Sequence, residues 1–153
     1  MRKVEKRLPF FYGESSMVDV VFDELKMIEK TIDEINYTVD QISYYFACDL
    51  VSMTSSDLKP LKEILVMHKI IGPEDNVTLT EINEPGTDIG SICREWHFDD
   101  DITSRITKLV EQSDGYYEMW ADGSFASRGN LMSICRVLQK GEEFALLEFY
   151  ICD

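Results

Sequence analysis

Two histidines, His68 and His97, are the only imidazoles in this chain that could act as general bases near neutral pH. A general base needs a partner that positions it as well as a suitable pKa. His68 falls on the apolar side of a helix predicted over residues 57–71, where a core or boundary role is more usual than catalysis. The chain contains no G-x-S-x-G elbow, no G-x-G-x-x-G loop and no Walker loop. We therefore expect no catalytic residues, no enzymatic activity and no cofactor.

Three adjacent carboxylates, Asp99, Asp100 and Asp101, are the most conspicuous candidates for metal ligands. Carboxylate oxygens suit hard cations such as Mg²⁺ or Ca²⁺. Adjacent side chains point in different directions, however, and the alternating spacing of an EF-hand is absent. Because a pattern of helical period begins at Ile102, these residues are better interpreted as the N-terminal cap of a helix. Capping is compatible with a contact to a partner, and we expect no metal.

The four cysteines, Cys48, Cys93, Cys135 and Cys152, form no recognisable metal or redox motif. None of them stands at C-x-x-C spacing, which zinc sites and redox motifs use. The N-terminal basic residues are followed by only a short apolar run, so no secretion signal is indicated. No stretch approaches the roughly 18 apolar residues of a membrane span. We expect reduced cysteines buried in the core and a cytoplasmic protein.

The chain is strongly acidic, with a formal net charge of −14. The first eight residues contain four of the 15 bases and one of the 29 acids, so residues 9–153 hold 28 acids against 11 bases. Nucleic-acid binding requires Lys and Arg to neutralise phosphates, and anionic membranes attract bases for the same reason. The charge therefore argues against both and favours a basic protein partner. The simpler alternative is an acidic surface that is only solvated.

Two zones concentrate the acidic residues. Residues 14–57 contain ten acids against two lysines, and residues 70–101 contain nine acids against Arg94 alone. Stability by itself favours fewer like charges, because they repel one another. Tyr and Trp dominate binding hot spots, so two aromatic residues on a predicted strand join the prediction. The predicted partner-binding residues are Asp33, Glu34, Asp40, Glu74, Asp75, Glu84, Asp88, Asp99, Asp100, Asp101, Tyr116 and Trp120.

An apolar stripe of helical period runs from Val18 to Phe46, with no Gly or Pro between Glu14 and Lys59. A straight helix over 16–47 would be roughly 48 Å long, whereas a compact chain of this length has a radius of gyration of about 15 Å. We therefore expect a kink or turn near residues 36–38, giving a kinked helix or a helix pair packed on the core. The alternative is an exposed seam that forms a homodimer or binds a partner helix.

The middle of the chain mixes short elements of both kinds. Gly72 and Pro73 are expected to end the second helix, with Gly72 in the left-handed conformation. Residues 92–98 alternate in a way that permits a strand, although a helix is also compatible. The predictions are a helix over 57–71, a strand over 77–80, a turn or loop over 84–88, and a helix from Ile102 to Val110.

The C-terminal third predicts an antiparallel meander of about four strands. Asp122-Gly123 is a strong signal for a two-residue hairpin turn. The predicted strands cover 116–121, 124–127, 131–138 and 144–151, and the last reads as buried on both faces. Helices first and strands later predict an α+β fold, with N-terminal amphipathic helices packed on this meander. The length predicts one acidic domain over 1–153, in which residues 1–13 form a basic lead segment.

These features favour a binding protein over an enzyme. A nuclease must present cationic residues to phosphates, and a small acidic protein can cover that surface with fast, charge-steered association. We expect a bacterial immunity protein or antitoxin that neutralises a basic toxin domain. The alternatives are a phage-type DNA mimic that inhibits host defence proteins, a helical adaptor built on the stripe from Val18 to Phe46, and an enzyme whose site carries no recognisable motif.

Overall fold

The computed structural model of the chain describes residues 13–37, 43–54, 56–121 and 132–152. Across these residues the elements form an α+β fold, which confirms the predicted class. The helices are α1 (Gly13–Tyr37), α2 (Lys59–Met67), α3 (Pro85–Glu95) and α4 (Asp100–Glu111). The strands are β1 (Ser43–Val51), β2 (Val77–Glu81), β3 (Gly115–Ala121), β4 (Met132–Lys140) and β5 (Glu143–Cys152).

The strands form one antiparallel sheet in the order β1-β5-β4-β3-β2. Successive side chains of a strand point to opposite faces, and helices lie on both faces of this sheet. One face packs against α1, α3 and α4 in a cluster that includes Leu25, Ile89 and Ile106. The opposite face packs against α2 through Leu61 and Leu65. The sheet is therefore the middle layer of the described fold.

The C-terminal meander consists of β3, β4 and β5, and it is extended on both sides by strands from earlier in the chain. Within the described residues the sheet has five strands rather than about four, because β1 and β2 pair with the two outer strands of the meander. Residues 144–149 of β5 are all buried, as predicted for a strand covered on both faces. The predicted turn at 122–123 and strand over 124–127 lie outside the described residues.

The apolar stripe of the first half changes secondary structure partway along. α1 ends at Tyr37, within the predicted turning region, but residues 43–51 form β1 and not a second helix. Phe46 lies on the face that contacts α1, and Val51 lies on the face that contacts α2. A strand buried on both faces shows no period of two, so the helical spacing continued into it by coincidence. The aromatic residues at 44–46 favour a strand and were the local evidence against a helix.

Most of the described part of the stripe is buried and forms no exposed seam, although Ile35 is 48% exposed. Leu25 and Ile28 are fully buried and Ile32 is 2% exposed, because all three pack against the sheet. Phe46 is also fully buried. These side chains are not available for a homodimer or a partner helix. The side chains of Val18, Val39 and Ile42 lie outside the described residues.

α2 ends earlier than predicted, and Gly72 is not its left-handed residue. The positive φ, 62°, belongs to Lys69. The Lys69 N–H donates to the Val66 carbonyl and the Ile70 N–H donates to the Leu65 carbonyl, which is the Schellman arrangement. Ile70 and Leu65 are both fully buried. Burial of this apolar pair outweighed the conformational preference of glycine.

α3 replaces the turn predicted over 84–88 and excludes the strand alternative over 92–98. Pro85 lies in the first turn of α3, where its missing N–H costs nothing. Ile89, Ile92 and Cys93 are buried at helical spacing.

α4 confirms the predicted helix after the aspartate run. The Asp99 carboxylate accepts a hydrogen bond from the Ile102 N–H at 2.8 Å, which confirms the capping interpretation.

Candidate protein-binding surface

A cleft of about 370 Å³ lies where the end of α1 and the start of β1 meet the α3–α4 junction. We call it the α1–α4 cleft. Apolar and aromatic side chains form most of its wall, and Asp99 contributes the carboxylate. The lining residues are Ile32, Ile35, Asn36, Ser43, Tyr44, Trp96, His97, Phe98, Asp99 and Ile102.

Aromatic rings build the wall of the α1–α4 cleft that faces the sheet. The Tyr44 ring meets the His97 ring edge to face at 4.9 Å between centroids and the Trp96 ring at 6.1 Å. Trp96 and Phe98 also pack against Phe149 of β5. Edge-to-face packing of this kind fixes ring orientation. The cleft therefore has an aromatic wall built from Tyr44 of β1 and from the α3–α4 junction, packed against the sheet.

The backbone reversal after α3 places this wall. His97 has a φ of 60°, a left-handed conformation that costs a residue with a side chain about 1 kcal/mol. The His97 N–H donates to the Arg94 carbonyl and the Phe98 N–H donates to the Cys93 carbonyl, so α3 also ends in a Schellman motif. This reversal buries Trp96, leaves His97 exposed and delivers Asp99 to the start of α4.

Exposed carboxylates stand next in sequence to residues that line the α1–α4 cleft, on two distant segments. Asp33 and Glu34 lie on α1 between the lining residues Ile32 and Ile35, and both are exposed. Asp100 and Asp101 follow Asp99 in the first turn of α4, and both are exposed. The structure therefore brings together predicted residues from both acidic zones.

These acids are only weakly neutralised by neighbouring cations. Arg105 lies 3.7 Å from the Asp101 carboxylate and 3.9 Å from the Glu24 carboxylate, which links α4 to α1. Exposed pairs at such distances contribute at most about 1 kcal/mol. Burial and the nearby Glu29 charge raise the pKa of Asp33, while Lys26 opposes them. Ionised Asp33 is thus held in a site that an incoming cation would stabilise.

Asp88 is committed to the fold and not to the surface. Its carboxylate accepts hydrogen bonds from the Arg136 Nε at 2.8 Å and from the Tyr116 hydroxyl at 2.6 Å. Burial raises the pKa of Asp88, but the hydrogen bonds from Arg136 and Tyr116 outweigh it and hold that pKa below 3.8. Burial and the hydrogen bond to Asp88 raise the pKa of Tyr116. The three side chains tie α3 to β3 and β4.

Tyr116 is therefore not an aromatic anchor for a partner. Its side chain faces the α1, α3 and α4 layer and is 1% exposed. Alternation along β3 places Trp120 on the same face, but beyond the helices, where it is 53% exposed. Of the two aromatic residues predicted on this strand, only Trp120 can reach a partner without rearrangement of the core.

The remaining predicted acids lie apart from the α1–α4 cleft. Glu74 and Asp75 precede β2, and the Asp75 carboxylate accepts the Gly72 N–H at 2.8 Å. Glu84 is exposed just before α3. Asp40 lies outside the described residues. The predicted set thus separates into a group at the cleft, a group around β2, and Asp88 inside the fold.

His68 has the boundary position that the sequence predicted. It lies just after α2, and its Nδ1 is 3.6 Å from the Glu148 Oε1. Glu148, on β5, is fully buried. Sequence reasoning missed both this acid and the ion pair of Arg136. A single charged residue inside an otherwise apolar strand pattern was the available signal in each case.

Three cysteines, Cys48, Cys93 and Cys135, are free and buried, as expected of reduced core residues. Burial raises the pKa of Cys48 and of Cys93 to about 12. Both therefore remain thiols at neutral pH and are poor nucleophiles. The Cys152 side chain lies outside the described residues.

No protein-family model, curated protein or solved structure matches this chain. Across residues 13–37, 43–54, 56–121 and 132–152, no helix is both long enough and apolar enough to span a membrane. In the same part of the chain, no cluster of three or more His, Cys, Asp or Glu side chains has the geometry to hold a metal ion.

Proposed function

We propose that this chain is an acidic, protein-binding inhibitor of the immunity-protein or antitoxin kind, which covers the cationic surface of a basic, nuclease-type toxin. One observation carries the proposal: two distant acidic segments supply the lining of a single cleft with an aromatic wall, and exposed acids adjoin those lining residues in sequence. An acidic surface that is only solvated has no need of such a concave feature.

The chemistry of the α1–α4 cleft suits an Arg or Lys side chain of the partner. The Tyr44 and His97 rings offer aromatic surface, and cations bind to aromatic faces. The Asp99 carboxylate stands in the same wall, and guanidinium groups pair well with carboxylates. Ile35, 48% exposed, and Tyr37, 90% exposed, supply apolar contact area beside it.

Charge would then speed the encounter as well as hold the complex. A surface of one sign steers an oppositely charged partner and accelerates association. Covering the cationic residues of a nuclease would also deny them to phosphates. An inhibitor that works in this way needs no catalytic group of its own.

The test is capture of partners from the source organism at low ionic strength, with the full chain as bait. The double substitution Asp33→Lys and Asp101→Lys should weaken the captured complex by at least about tenfold. The matched control, Glu111→Lys and Glu142→Lys, makes the same change in net charge at exposed positions away from the cleft. It should weaken the complex less.

The captured protein should be basic, and the complex should dissociate as salt rises. Equal losses in the two double variants would show that the cleft has no special role. A partner that is neither basic nor sensitive to salt would contradict the proposal. Capture of a host defence protein would favour the DNA-mimic alternative instead.

A further inference from the structure

The two edges of the sheet are protected to very different degrees. At the β1 edge, α1 side chains form hydrogen bonds with three of the outward backbone groups. Lys26 Nζ donates to the Cys48 carbonyl at 3.0 Å, Glu29 Oε1 accepts the Cys48 N–H at 3.1 Å, and Asn36 Nδ2 donates to the Tyr44 carbonyl at 2.8 Å. This edge is closed to a further strand.

The β2 edge carries no such cover within the described residues. The Ile82 N–H donates to the Tyr116 carbonyl, which fixes the alternation of the ladder between β2 and β3. Thr78 and Thr80 therefore bond to β3, and the amides and carbonyls of Val77, Leu79 and Glu81 point away from the sheet. In the described part of the chain no hydrogen bond reaches these outward groups.

We propose that β2 accepts an extended, cationic segment of the partner as a sixth strand, which rests on the function proposed above and adds a second contact to it. Unpaired backbone groups at an edge recognise an extended chain by main-chain hydrogen bonds. Acidic residues stand at both ends of the edge: Glu74 and Asp75 precede β2, while Glu81 and Glu84 end or follow it. A second copy of this chain would bring these acids together, so a cationic segment fits better.

The two sides of β2 specify different side chains for the added strand. On the α2 side lies a cavity of about 640 Å³, whose wall includes Leu58, Val66 and Val77 together with Lys59, Lys62 and Glu63. The two lysines outnumber the single acid, and the apolar part of the wall suits apolar residues. The predicted segment therefore alternates, with its apolar residues towards α2.

The opposite side suits cations. Alternation along β2 places Thr78 and Thr80 there, and Thr78 stands opposite the exposed Trp120 of β3. Two strand spacings, about 10 Å, separate an added strand from β3. An Arg side chain can extend across the small Thr78 towards the indole ring and gain a cation–π contact. The segment thus presents Arg on this side and Val or a similar residue on the other.

A seven-residue peptide of alternating Arg and Val is the probe, added to the ¹⁵N-labelled full chain at low salt. Amide exchange of Val77, Leu79 and Glu81 should slow on addition, whereas Thr78 and Thr80, already bonded to β3, should change little. A peptide of alternating Glu and Val should give no protection. N-methylation of alternate peptide residues removes donors without altering the protein, and it should weaken binding by about three- to tenfold per lost bond.

A substitution at Glu81 isolates the backbone contribution. Glu81→Pro removes an outward N–H and leaves the ladder to β3 intact, as edge positions permit. Glu81→Gln removes the same charge but keeps the N–H. Peptide affinity should fall further in Glu81→Pro than in Glu81→Gln, by about three- to tenfold for the lost hydrogen bond.

Four results would overturn the proposal. Equal peptide affinity in the two Glu81 variants would show that the Glu81 main-chain hydrogen bond does not contribute to peptide binding. Protection that appears without peptide and rises with protein concentration would assign the edge to a second copy of this chain. Peptide-induced shifts confined to the α1–α4 cleft would reject the edge while leaving the proposed function standing. Absence of binding at both places would count against both.

Discussion

Asp88 and Asp101 lie on neighbouring helices of the same layer, yet their carboxylates differ in hydrogen bonding and in exposure to solvent. Asp88 accepts three hydrogen bonds, two from Arg136 and one from Tyr116, and its side chain is 25% exposed. Asp101 is 79% exposed, and among the described residues its cationic neighbour is Arg105 at 3.7 Å. The contrast shows that Asp88 is paired inside the fold, whereas Asp101 keeps its charge largely in solvent.

Asp88→Asn should have the largest effect on stability, because it breaks a charged network that joins α3 to β3 and β4. We expect the free energy of unfolding at neutral pH to fall by about 2 kcal/mol, the usual scale for hydrogen bonds to a charged group. Asp101→Asn is the control and should be near neutral. Urea unfolding of both variants measures the difference, and equal values would erase the contrast between the two acids.

The stability that the Asp88 carboxylate contributes should decrease as the pH falls. The folded-state pKa of Asp88 lies below 3.8, the ordinary value of an aspartate, because the hydrogen bonds from Arg136 and Tyr116 outweigh the effect of burial. Its stabilising contribution is therefore complete well above pH 3.8 and is lost as the pH falls through the folded-state pKa. The difference between wild type and Asp88→Asn should shrink on acidification, and a constant difference would contradict the assignment.

Asp99 belongs both to the acids that stabilise the fold and to the acids at the cleft, because it caps α4 and also lines the cleft. Asp99→Ala should cost about 1 kcal/mol of stability through loss of the hydrogen bond to the Ile102 N–H. Asp99→Ser keeps a capping oxygen but removes the charge, so it should restore most of the stability. Thermal unfolding compares the two. Equal losses would mean that charge, and not capping, is what Asp99 contributes to the fold.

The smallest effect is expected at the acids that adjoin the cleft lining in sequence. The double substitution Asp33→Asn and Asp101→Asn should change stability by no more than about 0.5 kcal/mol, or raise it slightly by relieving repulsion. Added salt should stabilise the wild-type protein more than this variant, because it screens the same repulsion. Melting temperatures at low and high salt provide the measurement. A large destabilisation would show that these acids serve the fold after all.

Local patterns predicted much of the fold where one face of an element meets water. α4 followed from its aspartate cap and from the spacing of Ile102, Ile106 and Leu109. In α4 the periodicity of burial is therefore present in the sequence. β5, which is buried on both faces, followed instead from a mainly apolar run between turn signals, and its turn uses Gly141 at a φ of 63°.

The elements predicted wrongly are those whose secondary structure depends on contacts with distant parts of the chain. β1 was predicted as helix because both of its faces are buried, so no period of two distinguishes it. α3 was predicted as a turn because Pro85 and Gly86 stand at its start, and such residues are as compatible with a first helical turn as with a loop. Packing against the sheet decided between these alternatives.

The sequence predicted which acids belong to the candidate site, but it did not predict how these residues are arranged in space. The acids at 33–34 and 99–101 were identified from charge alone, whereas their meeting at one cleft depends on the contact between α1 and α4. Tyr116 and Trp120 are equivalent in sequence terms. Only the position of the helices buries the first and leaves the second exposed.

The sequence by itself determined the acidity, the fold class, the cap of α4 and the buried last strand, because each depends on residue type or on spacing within one segment. The tertiary structure alone decided which carboxylates are neutralised, which sheet edge is covered and which aromatic residue faces outward. Charge count is a property of the chain, but pairing depends on distance. Asp88 and Arg136, far apart in sequence, become partners at 2.8 Å only when α3 packs on the sheet.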